Sequence, residues 1–253
     1  MTAPLRRKRN IFTPAQIEPY RISRSKIELF LECPRCFYLD RRLGVARPSM
    51  PAFALNLAVD ALLKREFDQY RRKREPHPLM VRFGIHAIPF AHPDLDTWRE
   101  NFKGVEYFHT PTNFLVCGAP DDVWIGEDQK LIVVDYKATS TVAEISMEDE
   151  CRMRYKRQIE IYQWLLRKNG FEVSETGYFL YVNADKQKDS FDQSLHFAVH
   201  LFPYAGSDTW VDEVLGEILL CLKRDQSPPP NPECEWCRYR RNAASAEHEQ
   251  CFP

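Results

Sequence analysis

Apolar positions recur at helical spacing through the first third of the chain. The segment RISRSKIELFLECPRCFYLDRRLG (21–44) is expected to form one helix capped by Ser23 or Ser25. Ser25 is preferred, because Glu28 then stands at the capping-box spacing, and Gly44 ends the helix. A second apolar-rich stretch, FALNLAVDALLKREFDQYRRKR (53–74), has the same period. Its basic end suits the negative pole of a helix dipole, and Pro76 and Pro78 stop it. The period changes in the centre. TNFLVCGAPDDVWIG (112–126) and KLIVVDYKAT (130–139) each read as a strand, with Gly126–Gln129 as the turn between them. Residues 148–168 return to helical spacing through Ile159, Tyr162, Leu165 and Leu166, with Gly170 just past the end. Two further strands, GYFLYVNAD (177–185) and LHFAVHLF (195–202), precede a last helix, TWVDEVLGEILLCLKRD (209–225), before Pro228-Pro229-Pro230. No internal repeat is evident.

This order predicts an α/β fold: a short mixed central sheet flanked by helices. Residues 1–20 are expected as a flexible basic arm and 21–253 as a single domain. That domain divides into a helical region (21–78), an α/β core (79–226) and a cysteine-containing tail (227–253). The 253 residues, 44% apolar and 28% charged, are enough for a sizeable core. No stretch approaches 18 consecutive apolar residues, so no membrane span is expected. Arg6-Arg7-Lys8-Arg9 is not followed by the apolar run of a signal peptide. These features point to a cytoplasmic protein without a membrane partner.

The formal charge of −1 conceals an asymmetry. Residues 1–74 hold 17 basic and 7 acidic side chains, a charge of +10, and the remainder carries −11. A basic segment beside an acidic one is the charge pattern of a chain that meets an acidic polymer, although solvated basic helices produce it too.

Asp135-Tyr136-Lys137 interrupts the end of an otherwise apolar strand. Asp135 and Lys137, two apart, project from one face. Asp121, at the end of the neighbouring strand, can bring a second carboxylate to them. Two carboxylates and an ammonium in one cleft suit a hard divalent cation such as Mg²⁺, which takes oxygen ligands and only one or two protein carboxylates. Taken alone, a D-x-K is more often a cross-strand ion pair of little energetic weight. Gln158 and Tyr162, four apart, share one helix face beside this strand. Asp60 lies within the apolar helix before the sheet, where Asn56, Asp60 and Lys64 equally form a solvent stripe. Asp122 becomes the ligand in place of Asp121 if the strand register slips by one.

Eight cysteines in a cytoplasmic chain need another explanation than disulfides. Cys117, Cys151 and Cys221 are isolated, and buried thiols account for them. Cys33-Pro-Arg-Cys36 and Cys234-Glu-Trp-Cys237 are C-x₂-C pairs far apart in sequence, and their four thiolates complete one tetrahedral metal site. Two separate reduced or redox-active pairs are the alternative. Four thiolates suit Zn²⁺ or a [4Fe–4S] cluster equally.

Together these residues resemble the PD-(D/E)xK nuclease superfamily, in particular the RecB-like branch that includes CRISPR-associated nucleases. The family's G-x-x-D followed by D/E-x-K is matched by Gly118…Asp121 and Asp135-Tyr136-Lys137, and its Q-x-x-x-Y by Gln158…Tyr162. Its upstream G-x-x-x-H is replaced by Asn56…Asp60, which exchanges an imidazole ligand for a carboxylate. The early CPRCFYL and late CEWCRYR segments are similar to that branch's cysteine-bound iron–sulfur centre. In that branch one early and three late cysteines usually act, so Cys36 is an extra early thiol and Cys251 a substitute ligand.

The resemblance implies a restriction-endonuclease-like core and metal-dependent hydrolysis of DNA, single-stranded or at duplex ends. Asp121 and Asp135, with Asp60, would hold Mg²⁺ or Mn²⁺, Lys137 would act on the attacking water, Gln158 would assist positioning, and Tyr162 would join the site or merely pack. A non-catalytic, metal-stapled nucleic-acid-binding or adaptor module is the alternative. A helicase or other repair or adaptation protein is the implied partner. Tyr38, Tyr70 and Trp236 are candidate base-stacking residues, although residues of this kind more often belong to the core or its rim.

Overall fold

A computed structural model describes residues 6–48, 53–147 and 152–251, the side chains of 249–251 excepted. The chain divides into two compact units. One comprises Met1–Met50, Phe108–Val116 and Trp210–Pro253, and the other Pro51–Tyr107 and Cys117–Thr209.

The second unit is built on a five-stranded mixed sheet. Its strands, in the order β2-β5-β6-β7-β8, are β2 (Ala87–Pro89), β5 (Asp122–Gly126), β6 (Leu131–Thr139), β7 (Thr176–Ala184) and β8 (Phe197–Ala205). The β6–β7 pair is parallel and joined through a helix, α6 (Met153–Lys168); the other pairs are antiparallel. Because strand side chains alternate, β6 serves two layers. Ile132, Val134 and Tyr136 join the core with Leu63 and Phe67 of α3 (Ala54–Lys73). Asp135 meets α6 on the other face through Gln158. Phe67 is fully buried, stacked on His77 at 4.0 Å and on Trp124 at 5.5 Å, and it is the pin that seats α3 on the sheet. Two short helices, α4 (Pro78–Arg82) and α5 (Leu95–Trp98), follow α3 in the chain.

In the first unit, α1 (Arg24–Glu32), α2 (Pro34–Arg41) and α7 (Val211–Leu222) pack together around Ile27, Phe30, Phe37, Leu215 and Ile218. β1 (Tyr20–Ser23) belongs to a three-stranded sheet of order β1-β4-β3, in which β3 (Val105–His109) and β4 (Phe114–Gly118) carry the chain between units. Within the basic stretch expected as an arm, Arg7 N–H donates to Gly44 O at 2.8 Å, and Phe12 is buried. Gly44 has φ of +75°, and a Cβ there would stand 2.6 Å from Arg7 O. The tail holds a further helix, α8 (Glu235–Cys251).

Three sequence expectations are corrected. Residues 21–44 are not one helix. Cys33 is extended between α1 and α2, because a proline at position 34 disfavours helical geometry in the residue before it. The cap of α1 is Ser23 rather than Ser25, and it makes no side-chain cap bond. Residues 112–126 form two strands broken at Ala119-Pro120-Asp121, since Pro120 has no N–H for a ladder. No described helix is long and apolar enough to cross a membrane.

Candidate active site and cysteine centre

The break at Pro120 creates the site. It ends β4, turns the chain, and leaves Asp121 just before β5, where its Oδ2 accepts the Tyr136 N–H at 2.8 Å. Asp121 is thus tied to the backbone of β6 between Asp135 and Lys137. Asp135 is fully buried on the α6 face, ion-paired with Lys137 and accepting from Gln158 Nε2 at 2.7 Å. The same Nε2 donates to the Tyr162 hydroxyl at 3.1 Å, as the four-residue spacing on α6 allows. Burial acts to lower the Lys137 pKa, but the carboxylates of Asp135 and Asp121 outweigh it and the net shift is upward. Its ammonium also lies 4.7 Å from the centroid of the Tyr155 ring.

Asp60 joins from α3. Lys64 Nζ is 2.9 Å from Asp60 and 3.7 Å from Asp121, one ammonium shared by two carboxylates. Burial, then the charge of Asp121, raises the Asp60 pKa. The three carboxylates do not close into a single cluster within the 4.8 Å that the cysteine sulfurs meet; Lys64 and Lys137 are interposed as cations. The donor set is all oxygen, the type a hard divalent cation takes, and such a cation would compete with the two ammoniums for it. Lys64 was not among the sequence candidates, because it fell in the solvent stripe of Asn56, Asp60 and Lys64.

The neighbouring acid has a different task. Asp122 is fully buried on the α3 face and ion-paired with Arg71. It also accepts from the Tyr136 hydroxyl at 2.8 Å, Trp124 Nε1 at 3.3 Å and Val123 N–H at 2.9 Å. Burial raises its pKa against the pull of Arg71. The oxygens of Asp122 are thus engaged inside the core, whereas Asp121 lies beside Asp135 and Lys137.

Gly118 is explained by close approach. A Cβ there would lie 2.7 Å from Tyr162 Cε1 and 3.0 Å from Leu165 Cδ1. Tyr162 therefore packs over a bare backbone while its hydroxyl holds Gln158. Gly118→Ala is expected to push α6 outward and cost about 1–3 kcal/mol of unfolding free energy in urea titration. An unchanged midpoint would show that the ring moves freely.

The four cysteines form a second constellation, inside the first unit. The Sγ atoms of Cys33, Cys36, Cys234 and Cys237 are all buried and lie within 4.8 Å of one another, the only group of three or more potential ligands so placed among the described residues. Burial pushes the Cys36 thiol up to about 12. Burial also raises Cys234, but the Cys237 N–H and the neighbouring thiols bring it down to about 7. Arg47, unnoticed in the sequence, places Nη2 3.4 Å from Cys234 Sγ and Nη1 2.7 Å from Glu32. The side chain of Cys251 lies outside the described residues.

Of the candidate stacking residues, Tyr38 takes the core alternative. It is buried, with its hydroxyl on Arg224 O at 2.8 Å, because its ring serves the packing of α2. Tyr70 lies edge-on to His77. Trp236 is half-buried and lines a groove of about 420 Å³ together with Tyr239, Arg6, Arg47 and Arg240.

No curated protein matches the chain. A solved structure described as "Crystal structure of SSO0001" aligns at 18% identity and a TM-score of 0.29, over 51% of this chain and 50% of its own, so the chain spans about half of that protein. The family profile of the PD-(D/E)XK nuclease superfamily matches residues 54–242, a span that includes Asp60, Asp121, Asp135, Lys137, Gln158 and Tyr162. The chain belongs to the PD-(D/E)XK nuclease superfamily.

Proposed function

We propose that this chain is a Mg²⁺- or Mn²⁺-dependent deoxyribonuclease of the cytoplasm, hydrolysing phosphodiester bonds in single-stranded DNA or at duplex ends, with a structural metal held by its four cysteines. The observation that carries this reading is the convergence of Asp121 on the Asp135–Lys137 pair, with Gln158 fixing Asp135 from the far side.

Asp121 and Asp135 would hold the cation, and Asp60, coupled to Asp121 through Lys64, would add charge at its rim. When bound, such an ion supplies Lewis-acid polarisation of a phosphate and acidifies water. Gln158 keeps one Asp135 oxygen engaged, so that carboxylate cannot rotate away from the cleft. Lys137 donates toward the attacking water and offsets negative charge on the phosphate oxygens as it develops. Tyr136 contributes its N–H to orient Asp121 and its ring and hydroxyl to the core beneath.

A second reading has one observation in its favour. Lys64 occupies the space between Asp60 and Asp121 where a cation would draw on both, as a non-catalytic binding or adaptor module would permit. End-labelled single- and double-stranded DNA, and RNA of the same sequence, incubated with Mg²⁺, Mn²⁺ or EDTA separates the two. DNA shortened only in the metal lanes supports the nuclease; binding without cleavage in every lane supports the module. A helicase or other repair or adaptation protein as partner is tested by co-purification from native cells.

A further inference from the structure

We infer that the four-cysteine site holds a single tetrahedral Zn²⁺ ion rather than an iron–sulfur cluster. This rests on the reading above that these cysteines bind metal, and it is the sulfur spacing that selects which. Cys33 and Cys237 Sγ are 3.7 Å apart, Cys36 and Cys234 3.6 Å, and Cys36 and Cys237 4.0 Å. A Zn–S bond of about 2.3 Å at the centre of a regular tetrahedron sets its edges at about 3.8 Å. A four-iron cube binds its thiolates outside its corners and holds those sulfurs roughly 6 Å apart. With every sulfur within 4.8 Å of the others, the space between them admits one ion and not a cube.

The pairing of sulfurs also argues against two independent redox motifs. Close contacts run across the motifs, Cys33 to Cys237 and Cys36 to Cys234, and both are far longer than the bond of about 2.05 Å in a disulfide. Each C-x₂-C opens a helix. Cys33 caps α2 with its thiol accepting the Cys36 N–H at 3.4 Å, and the Cys237 N–H donates likewise to Cys234 at the start of α8. The two helix N-termini therefore direct N–H groups and the positive ends of their dipoles at the sulfurs, which stabilises thiolates. Arg47 adds a cation at 3.4 Å from Cys234, where four thiolates around a divalent ion leave net negative charge. Cys36, the early thiol in excess of the iron–sulfur pattern, stands within 4.0 Å of both late cysteines and takes a full ligand position. Among the described residues these four thiols make up the set.

Metal content decides the matter on the full chain. Protein prepared anaerobically from cells supplied with both iron and zinc is expected to carry about one zinc per chain by mass spectrometry, with no visible absorption. Replacing the metal with Co²⁺ is expected to give the intense blue-green spectrum of a tetrahedral thiolate site. About four irons per chain with a broad visible band would overturn the zinc assignment while leaving a metal centre in place. Stoichiometric free thiols without metal would overturn both. None of these outcomes depends on nuclease activity, so failure of the nuclease reading is read separately.

Discussion

Lys137→Ala is expected to slow DNA hydrolysis by about 10²–10³-fold while leaving divalent-cation affinity unchanged or increased. The ammonium is held by Asp135, by the charge of Asp121 and by the Tyr155 ring, so it competes with a cation for the same carboxylates. On the proposed function, removing it would free Asp135 for the ion but delete the donor assigned to the attacking water and the phosphate. Asp135→Asn should behave differently. It removes a ligand and leaves the ammonium without its nearest counter-charge, so both Mn²⁺ affinity and rate fall. Single-turnover rates alongside calorimetric Mn²⁺ titrations distinguish the two patterns. Equal loss of affinity in both variants would mean that Lys137 maintains the site's structure and takes no direct part in the chemistry.

Arg71→Met is expected to destabilise the protein by about 3–5 kcal/mol, the cost of breaking a buried pair from one side. Arg71 is the counter-charge of the fully buried Asp122, and it also bonds Asp68 and donates to Phe90 O at 2.7 Å. Without it, Asp122 retains the neutral donors Tyr136, Trp124 and Val123 but no opposite charge in contact. Adding Asp122→Asn to Arg71→Met should recover part of the loss, because the amide carries no charge to bury. Urea denaturation of the two single variants and the double variant measures this coupling. Simple additivity would show that the pair contributes nothing beyond its separate contacts. The pair joins α3, which carries Asp60 and Lys64, to the strand that begins one residue after Asp121, so its loss should also loosen the cleft.

What was readable in the sequence follows from periodicity. Strand alternation puts Asp135 and Lys137 on one face, and helical spacing puts Gln158 and Tyr162 together; both are local rules that survive folding. The two C-x₂-C pairs were readable because a spaced thiol pair has few other uses. The misses have physical causes as well. Pro34 and Pro120 sit inside apolar runs whose periodicity continues across them, so a helix and a strand were each drawn too long. α8, with EWCRYRRNAASAEHEQC, has no sustained apolar stripe and was read as tail. Lys64, Arg71 and Arg47 were invisible because their importance lies in partners distant in sequence: Asp121, Asp122 and Cys234. Charge shows where long side chains are, and only the fold shows which acid they meet.

The most direct test places wild type and Asp135→Asn side by side on end-labelled DNA with Mn²⁺, with an EDTA lane for each. The expected result is cleavage by the wild type that EDTA abolishes, and none by a variant that folds and keeps its cysteine-bound metal. Cleavage by the variant at the wild-type rate would contradict the assignment of Asp121, Asp135 and Lys137 as the hydrolytic centre.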